Sequence, residues 1–179
     1  MDAGLAAVLG ALAGSIATIS AAIAANRSQR ETARFAARAE HQRQRREPRH
    51  GVYKEFIAHA SQLREQLDIF ANFDLYPNSV TDETVKRYND TAKVLQGKWV
   101  EVGLVGPGDV SASSKVIEQL GRKSALQVNR LQWFIDQGSE QRKIEEQTAI
   151  AGSSVQLTEL LDKFIDTAQA ALDDDGSLR

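Results

Sequence analysis

Cysteine is missing from this chain, which excludes a thiolate nucleophile, a disulfide and a Cys-ligated metal site. Histidine is scarce. His41, His50 and His59 are nine residues apart, about 2.5 helical turns, so on a continuous helix neighbouring imidazoles face opposite sides. None has the HxxxH or HExxH spacing of a helical zinc site. The Glu-x-x-His register of a di-metal bundle occurs only from Glu47 to His50, across Pro48. Glu55 and His59 read as a local i,i+4 ion pair, and Glu145, Glu146, Asp162 and Asp166 as solvated helix faces. Gly103-Leu104-Val105-Gly106-Pro107-Gly108 lacks the Gly-Lys-Ser/Thr ending of a phosphate loop, and Pro107 removes an amide that such a loop would use. Ser113-Ser114-Lys115 is not a Ser-x-x-Lys arrangement. The sequence therefore predicts no catalytic residue, no metal and no cofactor.

Charge is missing from one long segment. Residues 3–25 are uncharged for 23 positions, ten of them Ala and seven Leu, Ile or Val. As a helix this run is about 34 Å long, enough to cross a hydrocarbon core of roughly 30 Å. Two readings compete with a transmembrane helix. A buried core helix could also look like this, although a soluble bundle helix usually carries a polar stripe, and here the only polar side chains are Ser15, Thr18 and Ser20. A signal peptide would find a small-x-small site at Ala22-Ile23-Ala24, but its leading region holds Asp2 and no Lys or Arg. Ala6, Gly10, Gly14, Thr18 and Ala22 recur every fourth residue, spacing that lets helix backbones approach closely in lipid. Self-association through that face is the expectation it raises.

Arginine follows directly. Between 26 and 50 there are eight Arg against three Glu, a net charge of +5, whereas residues 51–179 net −6. The whole-chain value of −2 hides this division. Arg27, Arg30, Arg34 and Arg38 share nearly one helical face, and Glu31 is placed to pair with Arg27 and Arg34. Basic excess on one flank of a span marks its cytoplasmic side, which predicts a single-pass cell-membrane protein with the amino terminus out and the large domain in the cytoplasm. The same arginines suit anionic lipid headgroups. Nucleic acid is a weaker fit, because the stretch has one aromatic, Phe35, and no recognisable reading module.

Strand signals are nearly absent. Residues 99–105 alternate in places, but a longer helical stripe precedes them. The three prolines stand at expected breaks. Pro48 should end or kink the arginine-rich helix by pushing Glu47 out of the α region. Pro77 falls in the turn-rich 74–78, and Pro107 in the strongest loop signal, Gly106-Pro107-Gly108-Asp109. Four amphipathic stripes follow. Val52, Phe56, Ala60, Leu63, Leu67 and Phe70 predict a helix to about Asn72. Val85, Tyr88, Ala92, Leu95, Trp99 and Val102 predict a second from Thr81 or Asp82 to about Val105. Val116, Ile117, Leu120, Val128, Leu131, Phe134 and Ile135 mark a third, with Asp109 or Ser111 as its cap and Trp133 alongside. Beyond Gly138-Ser139 a fourth presents Ile144, Ala151, Val155, Leu157, Leu161, Phe164, Ile165 and Ala168, with Gly152-Ser153-Ser154 able to kink or split it.

The expected fold is all-α: a transmembrane helix at 3–25, a basic helical stalk at 26–50, an antiparallel four-helix bundle at 51–172 and an acidic disordered tail at 173–179. Arg43-Gln44-Arg45-Arg46-Glu47-Pro48-Arg49, Val52-Tyr53-Lys54-Glu55-Phe56 and Leu104-Val105-Gly106-Pro107-Gly108-Asp109-Val110 resemble widespread small proteins of actinobacteria such as Streptomyces. That resemblance covers nearly the whole chain through loose motifs and implies the architecture, with no activity to carry over. The function expected is a non-enzymatic, membrane-anchored scaffold or adaptor whose partners are membrane lipid, an unidentified cytoplasmic protein and, through its small-residue face, a second copy. Two alternatives stand beside it. One is a small-molecule sensor or enzyme with a pocket near Tyr88, Trp99, Trp133 and Phe134. The other is a soluble oligomer assembled through the Ala-rich helix.

Overall fold

In the computed structural model of the chain, the residues described are 29–30, 32–37, 40, 47–76 and 79–173. Their regular structure is entirely helical, and no strand occurs among them. The chain divides into two compact units, Met1–Arg45 and Arg46–Arg179. In the first, 29–30, 32–37 and 40 are helical and exposed. The apolar run at 3–25 and the tail at 174–179 lie outside the described residues. Among those described, no helix is long and apolar enough to cross a membrane.

The second unit holds four helices: α1 (47–71), α2 (Asp82–Val105), α3 (Gly108–Asp136) and α4 (Glu140–Asp173). Glu47 and Pro48 are both helical, so the expected exclusion of Glu47 from the α region does not hold; Pro48 lies in the first described turn of α1. A 3-10 turn, Phe73–Leu75, closes the far end, where the sequence suggested an irregular break. Thr81 starts α2 through a capping box: its hydroxyl accepts from the Thr84 amide, and its own amide donates to the Thr84 hydroxyl. The alternating stretch 99–105 is helical, as its longer stripe required.

The α2–α3 connection is only Gly106 and Pro107, because Pro107 itself is the N-cap of α3. Neither Asp109 nor Ser111 caps the helix. Asp109 instead sits in the first turn and accepts from the Val110 amide at 2.9 Å. Helix α3 is followed by Gly138, whose φ of +66° allows the left-handed turn that brings the Ser139 amide to the Phe134 carbonyl and the Gly138 amide to that of Ile135. Gly152-Ser153-Ser154 does not split α4, which runs unbroken, and both serine hydroxyls find acceptors on other helices.

Residue pairs fix the topology. Glu55 meets Lys98 and Phe70 meets Tyr88; Tyr88 meets Ser124 and Asp82 meets Gln132; Gln127 meets Ser153 and Arg130 meets Glu146; Phe56 meets Phe164 and Asp68 meets Ser154. In each pair of helices the numbers run in opposite directions, which defines an up-down-up-down bundle with α1 between α2 and α4.

The core contains the expected stripe residues of α1 and α2 apart from Val52 and Trp99, which are half-buried, and it adds Tyr53. Three anticipated core residues, Val116, Ile144 and Val155, are exposed. Val155 lies two positions from Leu157, roughly 200° around a helix, so the two cannot share a face. Ile150 takes an inward position that the sequence reading left empty. Leu131 is fully buried, and Leu131→Ala is expected to cost about 2–5 kcal/mol in urea unfolding, a loss under about 1 kcal/mol being inconsistent with this core.

Candidate functional site

Serine in a helix interior has a donor to satisfy, and this bundle places several at one level. On α2 and α3, the Tyr88 and Ser124 hydroxyls are 2.6 Å apart in the core. Ser124 Oγ is also 2.9 Å from the carbonyls of Leu120 and Gly121. A serine has one proton to donate, and those carbonyls take it, so Tyr88 is the donor to Ser124. On the α3–α4 side, the Ser153 hydroxyl donates to Gln127 Oε1 at 2.8 Å. On the α4–α1 side, Ser154 donates to the Asp68 carboxylate. All four helices thus contribute to a hydrogen-bonded layer crossing the apolar core. Burial pushes the Tyr88 phenol well above its ordinary range, with the Ser124 contact acting weakly the other way, so it stays a neutral donor at physiological pH. Each of these bonds joins two helices, which gives the layer a structural role.

A second cluster joins the first described turns of α1 to the α2–α3 connection. At the α1 start, Arg49 Nε donates to the Val105 carbonyl at 2.9 Å, tying α1 to the end of α2. Tyr53, one turn later, is buried with its hydroxyl unpartnered beside Gly106; a methyl group on Gly106 would lie 2.9 Å from that oxygen. Burial pushes the Tyr53 phenol up, the Arg49 guanidinium pulls it back, and the Asp109 carboxylate raises it. These residues, far apart in sequence, close one end of the bundle.

Ion pairing departs from the sequence reading at two places. Glu55 pairs with Lys98 across the α1–α2 seam at 2.6 Å, and His59 contributes only a minor charge effect. Lys98 also holds Glu101 at 2.9 Å. Its hydrogen bond lowers the Glu55 carboxyl below the usual range, and the bonds to Glu55 and Glu101 raise the Lys98 ammonium. Glu146, expected on a solvated face, is 12% exposed and bonded to Arg130, whereas Glu145, Asp162 and Asp166 are exposed as anticipated.

The tryptophans do not share a pocket. Trp133 follows Gln132, which is bonded to Asp82 at the start of α2; Trp99 lies about 25 Å further along that helix. Trp99 is half-buried with its indole N–H unpartnered, and Trp133 is 57% exposed. Two open clefts include neither indole. One, of about 400 Å³, lies between α1 and α2 and is lined by His59, Gln62, Lys86, Thr91 and the Glu83–Arg87 ion pair among others. The other, of about 360 Å³, is bounded by Phe73, Ser79, Ile135, Glu140 and Lys143. Among the described residues, no group of His, Asp and Glu is arranged to hold a metal.

Of the residues singled out from sequence, Ala6, Gly10, Gly14, Thr18, Ala22, Arg27 and Arg38 lie outside the described residues. Arg30 and Arg34 are helical and exposed, one turn apart. Comparison with protein-family models, with curated proteins and with solved structures gave no match.

Two outcomes test these networks. Tyr88→Phe is expected to cost about 0.5–1.5 kcal/mol, because Ser124 keeps its backbone acceptors, and Ser124→Ala about 1–3 kcal/mol, because the buried Tyr88 hydroxyl loses its acceptor; the reverse order in chemical denaturation would reject the donor assignment. In a carboxyl NMR titration Glu55 should ionise below the ordinary glutamate range and return to it in Lys98→Met. Since the folded pKa is the depressed one, this pair's stabilisation is present above the ordinary glutamate pKa and fades as pH falls through the folded value.

Proposed function

We propose that the protein is a membrane-anchored helical scaffold or adaptor without catalytic activity. The observation that carries this reading is the juxtaposition, along one chain, of an uncharged 23-residue run, a +5 arginine-rich stretch and a −6 body. In this reading 3–25 spans the cell membrane once with its amino terminus outside. Arg27, Arg30, Arg34 and Arg38 meet anionic headgroups on the cytoplasmic side. The face made by Ala6, Gly10, Gly14, Thr18 and Ala22 brings two copies together, and the bundle presents its surface to a cytoplasmic protein partner. Two features of the body support a binding role over chemistry. Its buried hydroxyl layer is spent on helix pairing, and the shifted groups Tyr88, Glu55 and Lys98 sit in contacts between helices.

Carbonate washing of native membranes tests the anchor. The intact chain should remain in the pellet, and a reporter joined after Arg179 should behave as cytoplasmic. Release into the supernatant would refute the anchor, and an extracytoplasmic reporter signal would reverse the topology.

A further inference from the structure

The acidic body carries one face of opposite character. Helix α3 buries its stripe from Val110 to Phe134 against the other three helices and turns the opposite side to solvent. Exposed on that side, within an arc of about 100° at 3.6 residues per turn, are Lys115, Arg122, Lys123, Leu126, Arg130 and Trp133. No exposed carboxylate interrupts α3 between Lys115 and Trp133. The carboxylates that approach these cations lie beneath them. Glu118, 5% exposed, is 3.4 Å from Arg122 Nε, and Glu146, 12% exposed, holds the Nε and Nη2 of Arg130. Both guanidiniums keep further N–H groups facing outward, with about 60% of each side chain exposed. Lys115 and Lys123 have no carboxylate partner among the described residues.

Two large apolar side chains share the stripe, Leu126 at 65% exposed and Trp133 at 57%. Exposing them in water has no folding benefit, since neither contributes to the core. A helix face combining lysine and arginine with leucine and tryptophan, and lacking acidic groups, has the chemistry of an element that lies in the plane of an anionic bilayer. Its cations meet phosphates, Leu126 enters the acyl boundary, and the indole of Trp133 takes the headgroup level where its ring and N–H are both accommodated. Nucleic acid fits less well, because a single indole gives no succession of stacking platforms and Leu126 would find no apolar partner among phosphates.

We propose that the outward face of α3 docks on an anionic phospholipid surface, through Lys115, Arg122, Lys123 and Arg130 with Leu126 and Trp133 inserted at the interface. This contact is separate from the proposed amino-terminal anchor and does not depend on it.

The test uses the full chain with vesicles of phosphatidylcholine, with and without phosphatidylglycerol, carrying acyl chains brominated near the headgroup. Trp133→Phe identifies which part of the tryptophan emission belongs to that residue. The expected result is blue-shifted, bromine-quenched Trp133 emission only when phosphatidylglycerol is present. Lys115→Glu with Lys123→Glu, both exposed and unpaired, should weaken this response at least about twentyfold while leaving the helical circular dichroism unchanged. Equal quenching in both lipids, no quenching in either, or an unaltered response in the charge-reversed chain would overturn the proposal. So would Trp133 quenching by single-stranded RNA with none by vesicles. Release of the chain by carbonate together with retained phosphatidylglycerol-dependent quenching would support the α3 face and refute the anchor.

Discussion

Register in this bundle depends on the hydrogen-bonded layer formed by Asp68, Tyr88, Ser124, Gln127, Ser153 and Ser154. Apolar contacts are non-directional, and helices lined by Leu, Phe and Ala lose little if one slides a turn past another. Hydroxyls do not share that tolerance. A slip of one turn would separate Tyr88 from Ser124 and Ser153 from Gln127, leaving buried donors unpaired at about 1–3 kcal/mol each. The layer engages α1–α4, α2–α3 and α3–α4, so three of the four seams are locked at one level. The fourth seam, between α1 and α2, is held by Phe70 against Tyr88 and by Lys98 reaching Glu55.

Charge is arranged by the same packing. The body is acidic overall, yet α3 has its carboxylates inward or at its ends and its cations outward. Glu118 and Glu146 sit low between helices while Arg122 and Arg130 reach over them, so each pair is neutral as a whole but cationic at its outer edge. Net charge alone hides such a surface, because it sums groups that solvent, lipid or a partner never meets together.

Helix positions were largely legible before the fold was known. The spacing of Val85, Tyr88, Ala92, Leu95 and Val102, with Thr81 ahead and Gly106 behind, is enough to place α2, because periodicity and capping are local properties. The polar layer was not legible. Ser153 and Ser154 beside Gly152 have the composition of a helix break, and only acceptors brought from α3 and α1 make them interior residues. Glu55 likewise offered His59 as a neighbour in sequence, while Lys98, 43 positions away, is the partner the fold supplies.

Local signals in the chain place a helical body, the start and end of α2, and the stripe of α1 and α2 that turns inward. They do so because each of these follows from backbone hydrogen bonding and side-chain spacing within a few turns. Packing between helices decided that Ser153 and Ser154 find acceptors on α3 and α1, that Arg49 clasps the end of α2, and that Trp99 and Trp133 lie at opposite ends of one hairpin. Those outcomes turn on how helices cross and in what register, and that is set by contacts between residues distant in the chain.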